Sequence, residues 1–233
     1  MLVNISLGEN CIIDALLKRY NIKRESFIFG SVRTNIEYNF EIIKNEMKYL
    51  IDKKYLKKTI VNNITPVIKN TKYTNISKKI YDGSVSSGFE FTHHNVLENV
   101  NAYNSYCRKI SRMKHSLQND SIIFWYHYRY SKLNNIDELL IIFRDFIKYL
   151  KAKYNQKIKI CIFTQILDKN TRFHHEKYDE DIHIIKCYDE NKWGGNNVGG
   201  NINTLKRHSF IKMFDVIFKE YNIYKKILTD LLF

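Results

Sequence analysis

The chain has 233 residues, of which 44% are hydrophobic and 14% aromatic. This composition is typical of a folded globular protein and unlike that of a disordered chain. No apolar run approaches the ~20 residues that a membrane span needs, and the amino terminus lacks the basic region, apolar stretch and cleavage site of a signal peptide. We therefore expect a single domain over 1–233, without a membrane span, in the reducing environment of the cytoplasm.

The net charge of +14 is a weaker indication of nucleic-acid binding than its size suggests. The lysines are spread along the chain, in segments such as "KKYLKK" and "KYLKAKY", with no dense cluster interleaved with aromatic residues. Arginine, the usual reader of bases, accounts for only 9 of the 38 basic residues. Lysine, asparagine, isoleucine and tyrosine have A/T-rich codons, so an A/T-rich genome, as in some viruses and intracellular microbes, explains part of the bias. We predict no specific nucleic-acid partner and only salt-sensitive affinity for polyanions.

The first half of the chain predicts two helices and a small β region. The apolar run 2–6 is typical of a strand, and residues 11–20 have helical spacing with Asn10 as the N-cap. A Lys-rich amphipathic pattern predicts a second helix over 36–56. The β-branched, Asn-punctuated segment 58–88 predicts a small β excursion that ends in the flexible turn "GSVSSG".

The second half of the chain alternates regularly between strands and helices. Its patterns predict strands over 89–94, 121–129, 157–167 and 181–188, and helices over 97–118, 136–154, 204–219 and 221–232. Alternation at this spacing favours a mostly parallel sheet with helices packed against it. Apolar strands such as "SIIFW" and "ICIF" fit burial on both faces of such a sheet. We therefore predict an α/β fold.

The predicted fold indicates where a ligand would bind. In open α/β sheets, ligands lie beyond the carboxyl ends of the strands. On this chain those ends carry Gly8–Cys11, His93–His94, His127–Arg129, Gln165–Asp168 and Asp189–Trp193. Cys11 and the paired histidines are thus expected to meet at one edge of the sheet, although they are more than 80 residues apart.

Cys11 is predicted where the first strand gives way to a helix. Unpaired backbone N–H groups and the helix dipole favour a thiolate at such a position, and a neighbouring imidazole lowers the thiol pKa further. The backbone amides near Gly8, Asn10 and Cys11 would then face a developing oxyanion. These groups make up a nucleophile, a base and an electrophilic cradle. The alternative is that Cys11 is a small buried residue that packs the first helix.

The histidine pairs allow both functional and structural interpretations. Strand alternation places His93 and His94 on opposite sides, so only one of them can face a given site. A hydrogen-bonded structural histidine is the alternative there. The pair His174–His175 lies in a predicted polar loop near acidic residues, where a solvated loop is favoured over a metal site. We predict no metal and no cofactor.

The remaining cysteines and histidines are expected to be structural. The four cysteines include no C-x-x-C pair, which argues against a zinc ribbon or a redox pair. In a reducing compartment all four are expected to be free thiols, with Cys161 and Cys187 packed in apolar strands. His127 and His183 also fall within strands and are expected in the core or on the surface of the sheet.

A glycine-rich stretch, "KWGGNNVGG", precedes a predicted helix and is able to cradle a phosphate or a sugar. It has neither the G-x-G-x-x-G order nor the lysine and Ser/Thr of a P-loop. An ordered flap and a mobile flap over the site are the alternatives. Trp193 would stack on a substrate or anchor the loop.

Several motifs together resemble the DUF1796 family, which is described as papain-like cysteine peptidases. The resemblance covers most of 4–130 and is carried by "SLGENC", "LLKRYNIKRESFIFGSV", "FEFTHHN", "YNSYCRKISRM" and "SIIFWYHYR". The family landmarks correspond here to Ser6, Leu7, Gly8 and Cys11, to His93 or His94, and to Arg108 and Arg112. The stretch "KWGG" is a further, late landmark.

The chain departs from the family pattern at two places. The family's Ser-x-Pro-Phe-Asp-Trp-like segment is replaced by "SFIFGS" at 26–31, without the proline, the acid or the tryptophan. Asn95 follows the histidine pair, where the family commonly has an acid, and an asparagine is able to orient an imidazole as in Cys-His-Asn sites. The resemblance also implies a papain-like α+β fold as the alternative to the α/β architecture.

The residues and the resemblance together predict a cysteine-dependent hydrolase or acyltransferase. Cys11 would be the nucleophile and His94, or else His93, the base. Arg108 and Arg112 would recognise a peptide or anionic substrate or support the site through ion pairs, with a solvated helix face as the alternative. Two other functions stay open: a degenerate relative that binds an anion or a glycan, and a Rossmann-like transferase of glycan biosynthesis in which Cys11 is structural.

Overall fold

The computed structural model of the chain describes residues 1–61, 65–74, 76–78, 80–81, 85, 87–154, 156–190 and 209–232. Over these residues the chain forms eight strands and six α-helices. Their order is β1 (Leu2–Ser6), α1 (Ile12–Arg19), α2 (Ile36–Lys44), β2 (Leu56–Val61), β3 (Thr65–Asn70), β4 (Phe89–Phe91), α3 (Val100–Asn119), β5 (Ser121–Tyr128), α4 (Ile136–Tyr154), β6 (Ile158–Leu167), β7 (Arg172–Lys177), β8 (Ile182–Asp189), α5 (Ser209–Asp215) and α6 (Ile223–Leu232). A π-helical segment (Val216–Glu220) joins α5 to α6.

The main sheet has five strands in the order β1-β5-β6-β8-β7. The first four of these run parallel, and β7 pairs with β8 as an antiparallel edge strand. The prediction of an α/β fold with a mostly parallel sheet flanked by helices is confirmed. The described strands of this sheet do not form the antiparallel core of the α+β alternative.

Side chains of β5 alternate between two apolar cores. Phe124 and Tyr126 pack on the face covered by α2, α3 and α4, whereas Ile123 and Trp125 pack on the face covered by α1, α5 and α6. Because helices cover both faces, the strand is buried and mainly apolar along almost its whole length. The molecule is therefore built in three layers, with the sheet between two layers of helices.

A second, antiparallel sheet (β2-β3-β4) lies in the region predicted as a β excursion. The helix predicted over 36–56 is shorter than expected, because α2 ends at Lys44. Glu46 and Met47 have φ angles of 51° and 60°, which a right-handed helix does not accommodate. The chain then turns and enters β2 at Leu56.

The paired histidines follow the small sheet and not the main one. β4 has three residues, ends at Phe91 and pairs with β3. A strand's own residues show that it is buried but do not show which strand it pairs with. The prediction that His93–His94 lie at a carboxyl end of the main sheet is therefore wrong.

The segment that contains His174 and His175 is strand β7, and the prediction of a polar loop there is wrong. Its burial alternates over the first four residues, because one face packs towards the carboxy-terminal helices and the other meets solvent. The helix predicted over 204–219 is described from Ser209 onward, and 204–208 lie outside the described residues. None of the described helices combines the length and the apolar character that crossing a membrane requires.

Candidate active site

A sharp bend at Gly8 directs the chain from β1 to the start of α1. The backbone N–H of Leu7 still donates to the carbonyl of Trp125 (2.8 Å), so the chain follows β5 up to this point. Gly8 has a φ of +76°, and a Cβ placed there would lie 3.2 Å from both the Phe29 carbonyl oxygen and Thr34 Cγ2. A glycine therefore fits both the backbone angle and the space.

Replacing Gly8 by alanine is expected to lower the free energy of unfolding by about 1–3 kcal/mol, since the left-handed backbone and the close contacts both oppose a methyl group. Urea unfolding followed by circular dichroism measures the loss. Asn21→Gly is a matched control, because Asn21 is exposed and has a φ of 55°, so that glycine relieves strain there. A Gly8→Ala variant as stable as the parent chain would contradict the prediction.

The residue after Gly8 is a buried carboxylate that anchors this loop. Glu9 is only 2% exposed, and it accepts hydrogen bonds from the Tyr126 hydroxyl and from the backbone N–H of Arg129 (3.0 Å). Burial and the neighbouring Glu9 raise the pKa of Tyr126 well above its ordinary value, which keeps the hydroxyl a donor. Glu9 was not predicted as a site residue, although an acidic residue directly after a buried strand is an available signal.

Cys11 occupies the N-cap position of α1, and its side chain is exposed. Its carbonyl accepts the N–H of Ala15 (3.0 Å), which starts the helix, while its thiol makes no capping bond. Asn10 precedes the N-cap position, yet its Oδ1 accepts the N–H of Ile12 (3.0 Å) and so performs the capping. Residue Cys11 is exposed, whereas Cys161 and Cys187 are buried as expected.

The electrostatic environment of Cys11 differs from the expectation. The pKa of its thiol is raised, chiefly because nearby protein removes water from the sulfur, and the Asp14 carboxylate adds to the rise. A hydrogen bond from the residue's own backbone N–H acts in the opposite direction but is the smaller effect. This direction is opposite to the lowering of the thiol pKa that a helix terminus favours.

His94 lies against α3. Its ring packs edge-to-face on Tyr106, with the ring centres 5.5 Å apart, whereas His93 is exposed. Partial burial lowers the pKa of His94, and the ammonium of Lys109 and the ring of His93 lower it further. Within the described part of the chain, neither imidazole forms a hydrogen bond with Cys11.

Cys11 and His94 both interact with members of a polar group of residues, which we name the Asp14 cluster: Asp14, Lys23, Tyr106 and Lys109. Asp14 forms an ion pair with Lys23 and interacts electrostatically with Cys11, Tyr106 and Lys109. The carboxylate of Asp14 also lies directly beside Gly30, where an added Cβ would be 2.1 Å from Oδ1. The cluster thus joins the first turn of α1 to α3, on which His94 rests.

The residues predicted to bind substrate have different surroundings. Arg112 pairs with Glu25 (Nε to Oε1, 3.2 Å) and donates to the Ser26 carbonyl (2.5 Å), so it holds the segment after α1 against α3. Arg108 is exposed on α3. Trp193 and the rest of "KWGGNNVGG" lie outside the described residues.

Buried polar residues also lie at the carboxyl ends of the central strands. Glu9, His127, Gln165 and Asp189 are all at most 2% exposed at this edge of the main sheet. Burial, with a contribution from Arg129, lowers the pKa of His127 to about 3. The sheet edge is therefore polar where the α/β architecture places ligands.

A second histidine pair lies on the last two strands of the main sheet, β8 and β7. His175 Nε2 and His183 Nδ1 are 3.0 Å apart, and the outer nitrogens face the Tyr221 hydroxyl (2.9 Å) and Asp230 (3.3 Å). The hydrogen bonds join β7 to β8 and to Tyr221, and the His183–Asp230 contact brings this pair close to α6. Among the described residues, no three histidine, cysteine or acidic side chains are grouped so as to hold a metal ion.

Comparison with protein families identifies the family of the chain. A family model described as "Putative papain-like cysteine peptidase (DUF1796)" matches residues 3–170. Neither a search of curated proteins nor a search of solved structures returned a match. The family match runs from β1 past the end of β6 and includes Cys11, both histidines of "FTHH" and the arginines of α3. The chain belongs to the DUF1796 family.

Proposed function

We propose that the protein is a cysteine-dependent hydrolase or acyltransferase in which Cys11 is the nucleophile and His94 the base. The observation that carries the proposal is the exposed residue Cys11 at the start of α1, next to hydrogen-bond donors that have no acceptor among the described residues. Membership of a family described as papain-like cysteine peptidases supports the same chemistry.

The unused donors supply the site for a developing negative charge. Within the described residues, the backbone N–H groups of Gly8 and Asn10 donate to no carbonyl or side chain. The side-chain Nδ2 of Asn10 is buried and likewise has no acceptor there. Donors that are fixed before the reaction stabilise an oxyanion without reorganisation, which makes this the expected position of the substrate carbonyl oxygen.

The protonation states favour general-base catalysis over a preformed ion pair. The pKa of the Cys11 thiol is raised and the pKa of His94 is lowered, so both groups are neutral at pH 7. As sulfur attacks the carbonyl carbon, the thiol proton passes to His94, and the bond to the leaving group then breaks. The resulting thioester passes its acyl group to water or to another acceptor. The proposal requires the imidazole to approach the thiol when substrate binds, since the two groups are not hydrogen-bonded in this structure.

Acylation by p-nitrophenyl acetate tests the proposal with a probe that needs no knowledge of the natural substrate. Cys107 is also exposed, so it serves as a reference thiol in the same molecule, and mass spectrometry of peptides separates the two sites. We expect Cys11 to be acylated at pH 7 at least ~10-fold faster than Cys107, and His94→Ala to slow Cys11 by about 10²-fold. Because the pKa of His94 is lowered, its base form persists below pH 6.5, and acylation of Cys11 should persist there too.

Two comparisons make the result decisive. His94→Gln removes the imidazole but keeps a side chain of similar size against Tyr106, so it separates loss of the base from loss of packing. His93→Ala shows whether the exposed neighbour is the base instead. Acylation of Cys11 that is no faster than that of Cys107, and insensitive to both histidines, would remove the hydrolase proposal. Acylation that depends on His93 alone would reassign the base.

The buried polar residues at the carboxyl edge of the main sheet favour a second candidate, a transferase that acts on a nucleotide-linked sugar. Glu9, Gln165 and Asp189 lie at the edge where α/β proteins bind nucleotides, and they give that edge its polar character. Thermal shifts with a panel of nucleotide sugars test this candidate. A specific shift that survives Cys11→Ser would support it, and no shift at millimolar ligand would remove it.

A further inference from the structure

Lys109 is a lysine of α3 that points into the protein. It is 8% exposed, and its ammonium lies 4.3 Å from the centre of the Tyr106 ring. Lysine is almost never buried to this degree unless it is paired with an acceptor or a carboxylate. In the part of the chain that the structure describes, Nζ has no ion-pair partner and no hydrogen-bond acceptor. The aromatic ring attracts a charge that burial has partly removed from water.

The charged groups around Lys109 leave an excess of positive charge. Lys23 is paired with Asp14 and Arg112 with Glu25, so both neighbouring cations already have carboxylate partners. Burial lowers the pKa of Lys109, the charges of Lys23 and Arg112 lower it further, and the Asp14 carboxylate opposes them. An anion placed beside Nζ would relieve this cost.

The position of Lys109 relates it to both groups of the proposed reaction. Asp14, three residues after Cys11 on α1, interacts electrostatically with Cys11 and with Lys109. On its other side Lys109 shares the Tyr106 ring with His94. Lys109 is therefore linked through Asp14 to Cys11 and through the Tyr106 ring to His94, whereas Arg108 is exposed and Arg112 is held by Glu25.

We infer that Lys109 binds an anionic group of the substrate, a carboxylate or a phosphate, close to the carbonyl that Cys11 attacks. This inference rests on the proposed function and narrows its substrate to acyl compounds with a negative charge near the scissile bond. Lys109 replaces Arg108 and Arg112 as the residue that determines specificity for charge. The Asp14 carboxylate and the anionic group of the substrate would both interact with the Lys109 ammonium, so Asp14 weakens the binding of that group.

Alkylation of Cys11 by a charged and a neutral reagent tests the inference without a substrate. Iodoacetate carries a carboxylate and iodoacetamide does not, and the ratio of their rates at Cys11 is divided by the same ratio for N-acetylcysteine. We expect this normalised ratio to be about three to ten at low salt, as a single charge at short range would give. Lys109→Met keeps the aliphatic stem on Tyr106 and should abolish the preference.

Matched variants separate the charge of Lys109 from its packing. Lys109→Arg should retain the preference, and Lys114→Met on the exposed side of the same helix should leave it unchanged. Asp14→Asn removes the competing carboxylate and should increase the preference, which gives a readout even if Lys109→Met does not fold. A ratio equal to that of N-acetylcysteine, or one unchanged in both Lys109→Met and Asp14→Asn, would overturn the inference.

The two tests fail independently. Alkylation requires only an accessible thiol, so the charge preference is measurable whether or not p-nitrophenyl acetate acylates Cys11. A charge preference without acylation supports the anion site at Lys109 and removes the hydrolase. Acylation without a charge preference supports the hydrolase and overturns the role of Lys109.

Discussion

Replacing Trp125 by alanine is expected to lower the free energy of unfolding by about 3–5 kcal/mol, the range observed when a fully buried large aromatic side chain is removed. The indole is completely buried and lies against Phe163, Phe218 and Tyr224, with ring centres 5.9 to 6.3 Å apart. Its Nε1 donates to Asn4 Oδ1 (2.9 Å), so the substitution also leaves a buried acceptor unpaired. Guanidinium unfolding at constant pH measures the loss.

Two control variants identify the origin of that loss. Trp125→Phe keeps most of the ring contacts and removes the donor to Asn4, so it should cost about 1–3 kcal/mol. Ile141→Ala changes an aliphatic residue of α4 that is 51% exposed and should stay within about 0.5 kcal/mol of the parent chain. A loss no greater for Trp125→Ala than for Ile141→Ala would contradict the layered core described above.

Acidification from pH 6.5 to pH 4 is expected to destabilise the protein partly through His183. This residue is 1% exposed, and burial, with a contribution from His175, lowers its pKa to about 4. The unfolded chain takes up a proton near pH 6.5 and the folded chain only near pH 4, so the unfolded state binds more protons between these values. The stability contributed by the neutral ring is thus complete above pH 6.5 and falls by about 3 kcal/mol as the pH reaches 4.

The difference between the parent chain and His183→Gln isolates this contribution from that of the carboxylates. Unfolding free energies of both proteins, measured from pH 7 to pH 4, should converge as the pH falls. His174→Gln, on the exposed side of β7, is the control and should follow the parent chain. Parallel curves for the parent chain and His183→Gln would show that the buried pair is protonated as easily as a free imidazole.

The sequence predicts the main sheet well because both of its faces are covered. "SIIFWYHY" and "IKICIF" are apolar at nearly every position, as expected for strands that are buried between two helical layers. The small sheet and β7 are harder to predict, since pairing partners are not encoded in the strands themselves. β7 has polar residues because it is an edge strand, and α2 stops at Lys44 because of backbone angles that no periodicity indicates.

The candidate site was predictable only in part. Cys11 at the start of α1 follows from a strand, a glycine and a helical pattern in sequence. The direction of its pKa shift does not, because it depends on how much water the folded chain removes from the sulfur. Glu9 and Lys109 were missed for a related reason: charged residues are ordinarily taken to face solvent, and only the fold shows that these two are buried.

The close approach of Asp14 to Gly30 means that the size of residue 14 limits the size of residue 30, and this should be visible in the sequences of relatives. The carboxylate fills the volume that any side chain at position 30 would need, and its ion pair with Lys23 keeps it there. A mutation that enlarges residue 30 therefore demands a smaller or relocated residue 14. Across the family, positions 14 and 30 should covary, so that a large side chain at one position accompanies a small one at the other. The acid that this chain lacks in the segment 26–31 would then be compensated by the acid that it carries at Asp14 of α1.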